Sequence, residues 1–495
     1  MGDVPVRSDR ERTTRNPWRS RVGLLLGPAA LVAILLIGPP AEVAPGAWNV
    51  VALTALMAIW WISEAIPIAA TSLLPVALLP LLGVMPIAEA AAPYANPLVF
   101  LFLGGFVIAQ AIQRWGLHRR IALVILSLVG HRLDSLVGGF MAATAGLSMW
   151  VSNTATAALM LPIGLSVLGM LEERCPALDA RNMAPALLLG IAFSANIGGM
   201  ATLIGTPPNA LLAGYMADTY GVSIGFGQWM VLALPVALIM LGVTWWVLTR
   251  WVFPVSCRDI ADIQRLLQDQ HAELGPMTRA ERSVAAVFLL VALAWIARPL
   301  LDAWLPGLML SDAGIAIVGA LTLFVIPADW GRQRFLMDWE PVRQIPWGVL
   351  VLVGGGLSLG SAIDASGLAT HLTGLLAGLE AWPAWGLIAL VATTAMLLSH
   401  VTSNTATAAT LVPLTTALAL GLAIDPLLLG VPVALAASCA FMLPVATPPN
   451  AIVFSSERLE VAQMVHAGAR LSLVGIALIT VSVLFLARPV FGLTG

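Results

Sequence analysis

Lysine is missing from this chain: its 24 basic residues are all arginine. Charge of either sign is scarce. Only 10% of the 495 residues are charged, where a soluble domain carries roughly a quarter. That shortage excludes a water-soluble globular enzyme and leaves no basic surface for nucleic acid. Cysteine is also sparse. Cys175, Cys257 and Cys439 lie far apart, without the spacing of a metal knuckle or redox pair, and read as unpaired thiols.

What fills the chain instead is apolar. Hydrophobic residues make up 59%, and mean hydropathy is +0.93. Runs such as Val22–Ile37, Val231–Leu248 and Leu471–Leu486 approach the ~20 residues that cross a bilayer. This is an all-α polytopic membrane protein. Arg7, Arg10, Arg12, Arg15, Arg19 and Arg21 precede the first run, but Gly38-Pro39-Pro40 makes a poor cleavage site for a leader. Residues 1–20 therefore read as a cytoplasmic tail, and 21–47 as a first membrane helix with its outer loop.

One string occurs twice. Ser-Asn-Thr-Ala-Thr-Ala-Ala stands at Ser152–Ala158 and again at Ser403–Ala409, and each copy is followed by Thr-Pro-Pro-Asn, at Thr206–Asn209 and Thr447–Asn450. Gly104-Gly105 and Gly354-Gly355 recur in the same order, at a near-constant spacing of about 250 residues. Two apolar blocks, 134–171 and 384–421, are each cut by Ser-Asn-Thr into arms of about 16 residues, too short to cross comfortably. They read as re-entrant hairpins with polar tips at membrane depth, where irregular backbone survives only beside protein or a water-filled cavity.

The remaining runs predict about eleven spans, near 21–38, 48–63, 67–84, 98–128, 184–217, 226–252, 283–301, 310–327, 346–377, 427–456 and 467–490. Counted from a cytoplasmic N-terminus, this topology collects nearly every arginine on one side. Only Arg298 and Arg488 fall on the other, so the C-terminus is expected outside. A polar stretch at 253–282, with Ile260, Ile263, Leu266 and Leu267 at helical spacing, predicts an amphipathic linker on the cytoplasmic surface. It separates 48–252 from 283–495. Each half then holds an odd number of spans, which makes the second an inverted repeat of the first.

Ser, Asn and Thr cap helix N-termini, and Ala continues the helix. Each tip therefore presents hydroxyls, an amide and free backbone N–H groups at the positive end of a half-helix dipole. A carboxylate or other oxyanion fits there, and unwound carbonyls can surround a small hard cation. Proline pairs break the span and restart it with Thr206 or Thr447 as cap. Gly354-Gly355-Gly356 lies inside an apolar span with no lysine after it, so it is a packing surface and not a phosphate loop. A Ser403–His400 hydrolase is excluded, because no acid is placed to orient the imidazole and the first copy has no histidine. Glu64 and Glu380 read as carboxylates at span ends; Asp364 and His400 lie deeper.

These residues resemble the divalent-anion/sodium symporter family, the INDY-like dicarboxylate carriers. The likeness rests on Trp60-Trp61-Ile62-Ser63-Glu64-Ala65-Ile66-Pro67-Ile68, on Thr71-Ser72-Leu73-Leu74-Pro75, and on both tips and both proline segments. It implies a homodimer in lipid, with scaffold and transport domains moving as an elevator. It implies a substrate dianion held by Asn153, Thr154, Asn404 and Thr405 and lined by Thr206, Pro207, Thr447 and Pro448. Sodium ions are implied near Ser148, Ser152, Asn153 and Gly205, and near Ser399, Ser403, Asn404 and Ala446. No organic cofactor is implied. His400 stands where dicarboxylate members often carry an acid, which marks it as a modifier of coupling. The expectation is a sodium-driven importer of C4 dicarboxylates in the cytoplasmic membrane, not an enzyme. The alternatives are a symporter of sulfate or another divalent oxyanion, and a proton-linked or sodium-independent exchanger.

Overall fold

The computed structural model describes residues 17–41, 43–128, 132–172, 177–255, 261–304, 307–368 and 382–493. Helix α1 (Pro17–Ile37) lies along α2 (Pro45–Ser63). Its Leu25, Leu36 and Ile37 are 76%, 81% and 77% exposed, the outward face of a helix dissolved in acyl chains. Glu64 ends α2 in a left-handed conformation (φ 50°).

The expected span at 67–84 is interrupted. It forms α3 (Ile68–Thr71) and α4 (Leu74–Leu81), because Pro75 has no N–H to offer the Thr71 carbonyl. The expected span at 98–128 likewise divides. After α5 (Ile87–Ala91), α6 (Pro97–Arg114) starts on an Asn96 cap that accepts from Leu98 N at 2.8 Å. It stops before Gly116, whose φ of 69° suits glycine, and α7 (Leu117–Ser127) follows.

Both Ser-Asn-Thr strings fall where a helix restarts, the serine just before it and Asn-Thr as its first residues. The first lies at the break between α8 (Leu133–Ser148) and α9 (Asn153–Glu172). Next come α10 (Ala177–Met200), α11 (Pro207–Tyr220), and α12 (Phe226–Trp246), which ends in π turns through Val252. The polar linker holds α13 (Ala261–Glu273), with Leu267 buried; Ile260 lies outside the described residues. Helix α14 (Arg279–Trp304) and α15 (Asp312–Val325) lead to a small antiparallel hairpin, β1 (Pro327–Asp329) with β2 (Arg334–Phe335), and then to the short α16 (Trp339–Val342). Helix α17 (Trp347–Ala365) ends short of the expected 377. Glu380 lies outside the described residues.

The second Ser-Asn-Thr string falls at the break between α18 (Ala384–Val401) and α19 (Asn404–Gly421). Then come α20 (Leu427–Ala437), α21 (Pro448–Phe454), α22 (Val461–Ser482) with π turns to Ala487, and a last turn, α23 (Arg488–Phe491). The expected spans 184–217 and 427–456 are thus each broken ahead of their prolines. Among the described residues, ten helices are long and apolar enough to cross a membrane, while α15 and α20 are shorter.

The core sits where the broken helices meet. Helix α10 is buried throughout Met183–Met200, and every residue of α20 is buried. Each packs on the two arms beside it, α10 on α8 and α9, α20 on α18 and α19. The linker is anchored by a buried ion pair. Arg120 Nε donates to Glu281 Oε1 at 3.0 Å, and the same guanidinium donates to the carbonyls of Gly275 (2.9 Å) and Leu274 (3.2 Å).

Candidate functional site

A cavity of about 870 Å³ lies between the two tips. Eleven of the fifteen residues expected at a site line it: Ser152, Asn153, Thr154, Gly205, Thr206, Pro207, Ser403, Asn404, Thr405, Ala446 and Pro448. Four do not. Ser148 and Ser399 stand behind the tips, Thr447 turns aside, and His400 is buried against its own helix.

Each tip is built the same way. Ser152 Oγ accepts from Ala155 N at 3.3 Å, and Ser403 Oγ accepts from Ala406 N at 3.1 Å. Each cap closes one orphan N–H of its helix and leaves others of the first turn without a helical partner. Behind the first tip, Ser148 Oγ lies 2.6 Å from Asn153 Oδ1 and 2.7 Å from the Ala195 carbonyl. Behind the second, Ser399 Oγ lies 2.8 Å from Asn404 Oδ1 and 2.7 Å from the Ala437 carbonyl. A hydroxyl has one hydrogen and a carbonyl has none. The serine proton therefore goes to the carbonyl, and satisfying both contacts turns the amide NH₂ toward the serine. That orientation leaves each asparagine oxygen free as an acceptor.

The proline segments supply the facing wall. Asn209 Nδ2 donates to the carbonyls of Thr202 (2.8 Å), Met200 (3.2 Å) and Gly199 (3.3 Å). Asn450 Nδ2 donates to those of Leu443 (3.0 Å) and Ala440 (3.1 Å). The last residue of each Thr-Pro-Pro-Asn is thus a brace for the unwound turn. Thr202 ties its turn to the first tip: its Oγ1 donates to Met149 O at 2.5 Å and accepts from Gly205 N at 3.0 Å. Space there is exact. A Cβ on Gly199 would stand 2.6 Å from Asn153 Oδ1.

The cavity's electrostatics are simple. Among the described residues that line it, none carries a formal charge. Polarity comes from the tips, from Thr206, and from four residues that reading the repeats alone missed: Gln110, Gln113, Asn196 and Gln344. Their signal was a lone amide within or beside an apolar run, which repeat-matching passes over. His400 Nδ1 lies 2.7 Å from Met396 O, and its Nε2 is buried without a partner. The first tip has an aromatic backing instead: Trp150 stacks on Phe226 (5.9 Å between centroids) and meets Phe288 edge-on (5.0 Å).

An all-helical membrane protein whose broken helices converge on a polar, uncharged cavity is, in class, a multi-pass transporter. The chain belongs to the family described as Sodium:sulfate symporter transmembrane region, which matches residues 19–493. It is 39% identical over 475 residues to a protein of Staphylococcus aureus (strain USA300) named sodium-dependent dicarboxylate transporter SdcS, covering 95% of this chain and 91% of that one. The protein of the same name from strain MW2 is 40% identical over the same shares. Two solved structures share the fold. The YdaH transporter of Alcanivorax borkumensis has a TM-score of 0.58 at 15% identity, covering 88% of this chain and 98% of that one. MtrF of Neisseria gonorrhoeae has a TM-score of 0.58 at 12% identity, covering 93% and 98%. Family and relatives are transporters, not enzymes.

Proposed function

We propose that this protein imports C4-type dicarboxylates such as succinate, malate and fumarate together with sodium, by alternating access of the cavity between the two tips. The observation that carries the reading is the meeting of Asn153 and Asn404 in one uncharged lumen. A dianion there has no arginine to meet it. Helix N-termini contribute about 0.3–2 kcal/mol each, too little to strip two carboxylates of water, so cations must enter with the substrate. Sodium organises the tips and the substrate binds the organised state, a positive coupling between two sites. The first ion is assigned to Ser152, Asn153 and Gly205, with Ser148 behind them, and the second to Ser403, Asn404 and Ala446, with Ser399 behind them. The substrate is assigned to Asn153, Thr154, Asn404 and Thr405, with Thr206, Pro207 and Pro448 around it and Thr447 set back from the wall. The name of the SdcS relatives supports both cargo assignments.

The same reading covers the assembly. It takes 48–252 and 283–495 as inverted repeats, joined by the 253–282 linker, in a homodimer whose transport domain moves as an elevator in the cytoplasmic membrane, N-terminus inside and C-terminus outside. Beyond the tips, the cavity is walled by Gln110 and Gln113, beside Arg114, and by Gln344–Val349, beside Arg343. With the arginine-rich side cytoplasmic, that placement supports an inward-facing state.

The family description favours one second reading, sulfate as cargo. A cavity of about 870 Å³ with two separated tips suits a longer dianion better. Uptake of radiolabelled succinate into proteoliposomes decides. Accumulation that requires an inward sodium gradient is expected. Accumulation of sulfate without succinate overturns the substrate, and sodium-independent exchange overturns the coupling.

A further inference from the structure

Asn196 lies in the first half of the chain, outside the repeated motifs, and bonds to Thr447 in the second half. It is completely buried (0% exposed) yet lines the lumen. Its Nδ2 donates to Thr447 Oγ1 at 3.0 Å, and its Oδ1 has no partner. Thr447 Oγ1 already accepts from Asn450 N at 3.4 Å. Turning the amide over lets Asn196 Oδ1 accept the Thr447 hydroxyl proton instead and leaves Nδ2 unpaired. Either way one amide atom is buried without a protein partner, a state that costs free energy unless something else completes it.

The repeat shows what that something is. In neither register does an amide stand opposite Asn196: the proline segments pair it with Ala437, while the serine contacts to the Ala195 and Ala437 carbonyls pair it with Ser438, which does not line the cavity. The two tips are duplicates, and they suit the two like ends of a dicarboxylate. An amide present once on the wall between them suits a feature the substrate has once. On a four-carbon dicarboxylate that feature is a substituent on the chain between the carboxylates. An amide can donate or accept, so it serves a hydroxyl and a carbonyl alike.

We propose that Asn196 is a specificity residue that hydrogen-bonds the 2-hydroxyl or 2-oxo group of a substituted C4 dicarboxylate. The assignment rests on the dicarboxylate reading above. The test is competition in proteoliposomes: unlabelled malate against labelled succinate uptake, with unlabelled succinate as reference. In Asn196→Ala, the ratio of half-inhibiting malate to half-inhibiting succinate rises about three- to tenfold over wild type, the worth of one hydrogen bond between neutral groups. Thr447→Val separates contact from positioning, because it removes the tie and keeps the amide; its ratio stays within about twofold of wild type. If Asn196→Ala is inserted but carries nothing, the same ratio is read from ligand-induced thermal stabilisation of the purified variant. An unchanged ratio, loss of binding of both acids alike, or an equal shift in Thr447→Val overturns the proposal. A wild type that takes up no dicarboxylate overturns the functional reading and this inference with it; wild-type uptake with an unchanged variant ratio overturns this inference alone.

Discussion

Ser148 Oγ stands 2.6 Å from the side-chain amide of Asn153, and the same contact recurs at 2.8 Å between Ser399 and Asn404. Each serine lies behind its tip and holds the amide, so its effect on a cation runs through the asparagine. Ser148→Ala and Ser399→Ala are each expected to raise the sodium concentration for half-maximal uptake by about tenfold, as losses behind a ligand do. A sodium titration of uptake checks it; an unshifted curve removes the serines from the cation sites.

Gly199 and Ala440 occupy matching positions but face different constraints. A Cβ on Gly199 meets the Asn153 amide at 2.6 Å, while the second half already carries a methyl group there. Gly199→Ala is expected to lower uptake about 100-fold, the scale of an ångström-sized misplacement at a site. Ala440→Gly should remain within about threefold of wild type. Comparable losses in both variants would place the effect in helix packing.

The Arg120–Glu281 pair is buried at both ends, with side chains 10% and 8% exposed. Removing one partner strands a charge at a cost of about 3–5 kcal/mol, whereas an apolar replacement of both recovers most of it. Glu281→Leu should therefore lower the melting temperature in detergent, and adding Arg120→Met should restore it. A double variant no better than the single one would refute the account.

His400 was the residue expected to modify coupling. It lies behind the second tip, its Nδ1 against Met396 O and none of it on the cavity wall. The pH profile of uptake in His400→Asn is expected to overlay that of wild type. A displaced limb in that profile would return the imidazole to the transport cycle.

The places where the chain stops being helical were readable at the tips, because polar caps followed by alanine announce a new helix wherever they fall. The interruption at Thr71–Leu74 was harder to see. Pro75 alone does not say whether a helix bends or ends, and the hydrophobic run continues across it. At the cavity, duplicated residues announced themselves and single ones did not. Asn196 and Gln110 sit in apolar helices that look like ordinary spans, and only the folded chain brings them to one lumen. Thr447 erred in the other direction: its motif promised a lining residue, but Asn196 claims its hydroxyl oxygen first.

The uncharged lining has an electrical consequence. A site whose lining holds no formal charge adds none of its own to the empty return stroke of the proposed cycle. The charge that the site moves enters with the cargo. Two sodium ions per dianion cancel that charge, while a third moves one positive charge and gains about 2.3 kcal/mol per 100 mV of inside-negative potential. The current per turnover thus counts the sodium ions directly, with no correction for charges belonging to the protein.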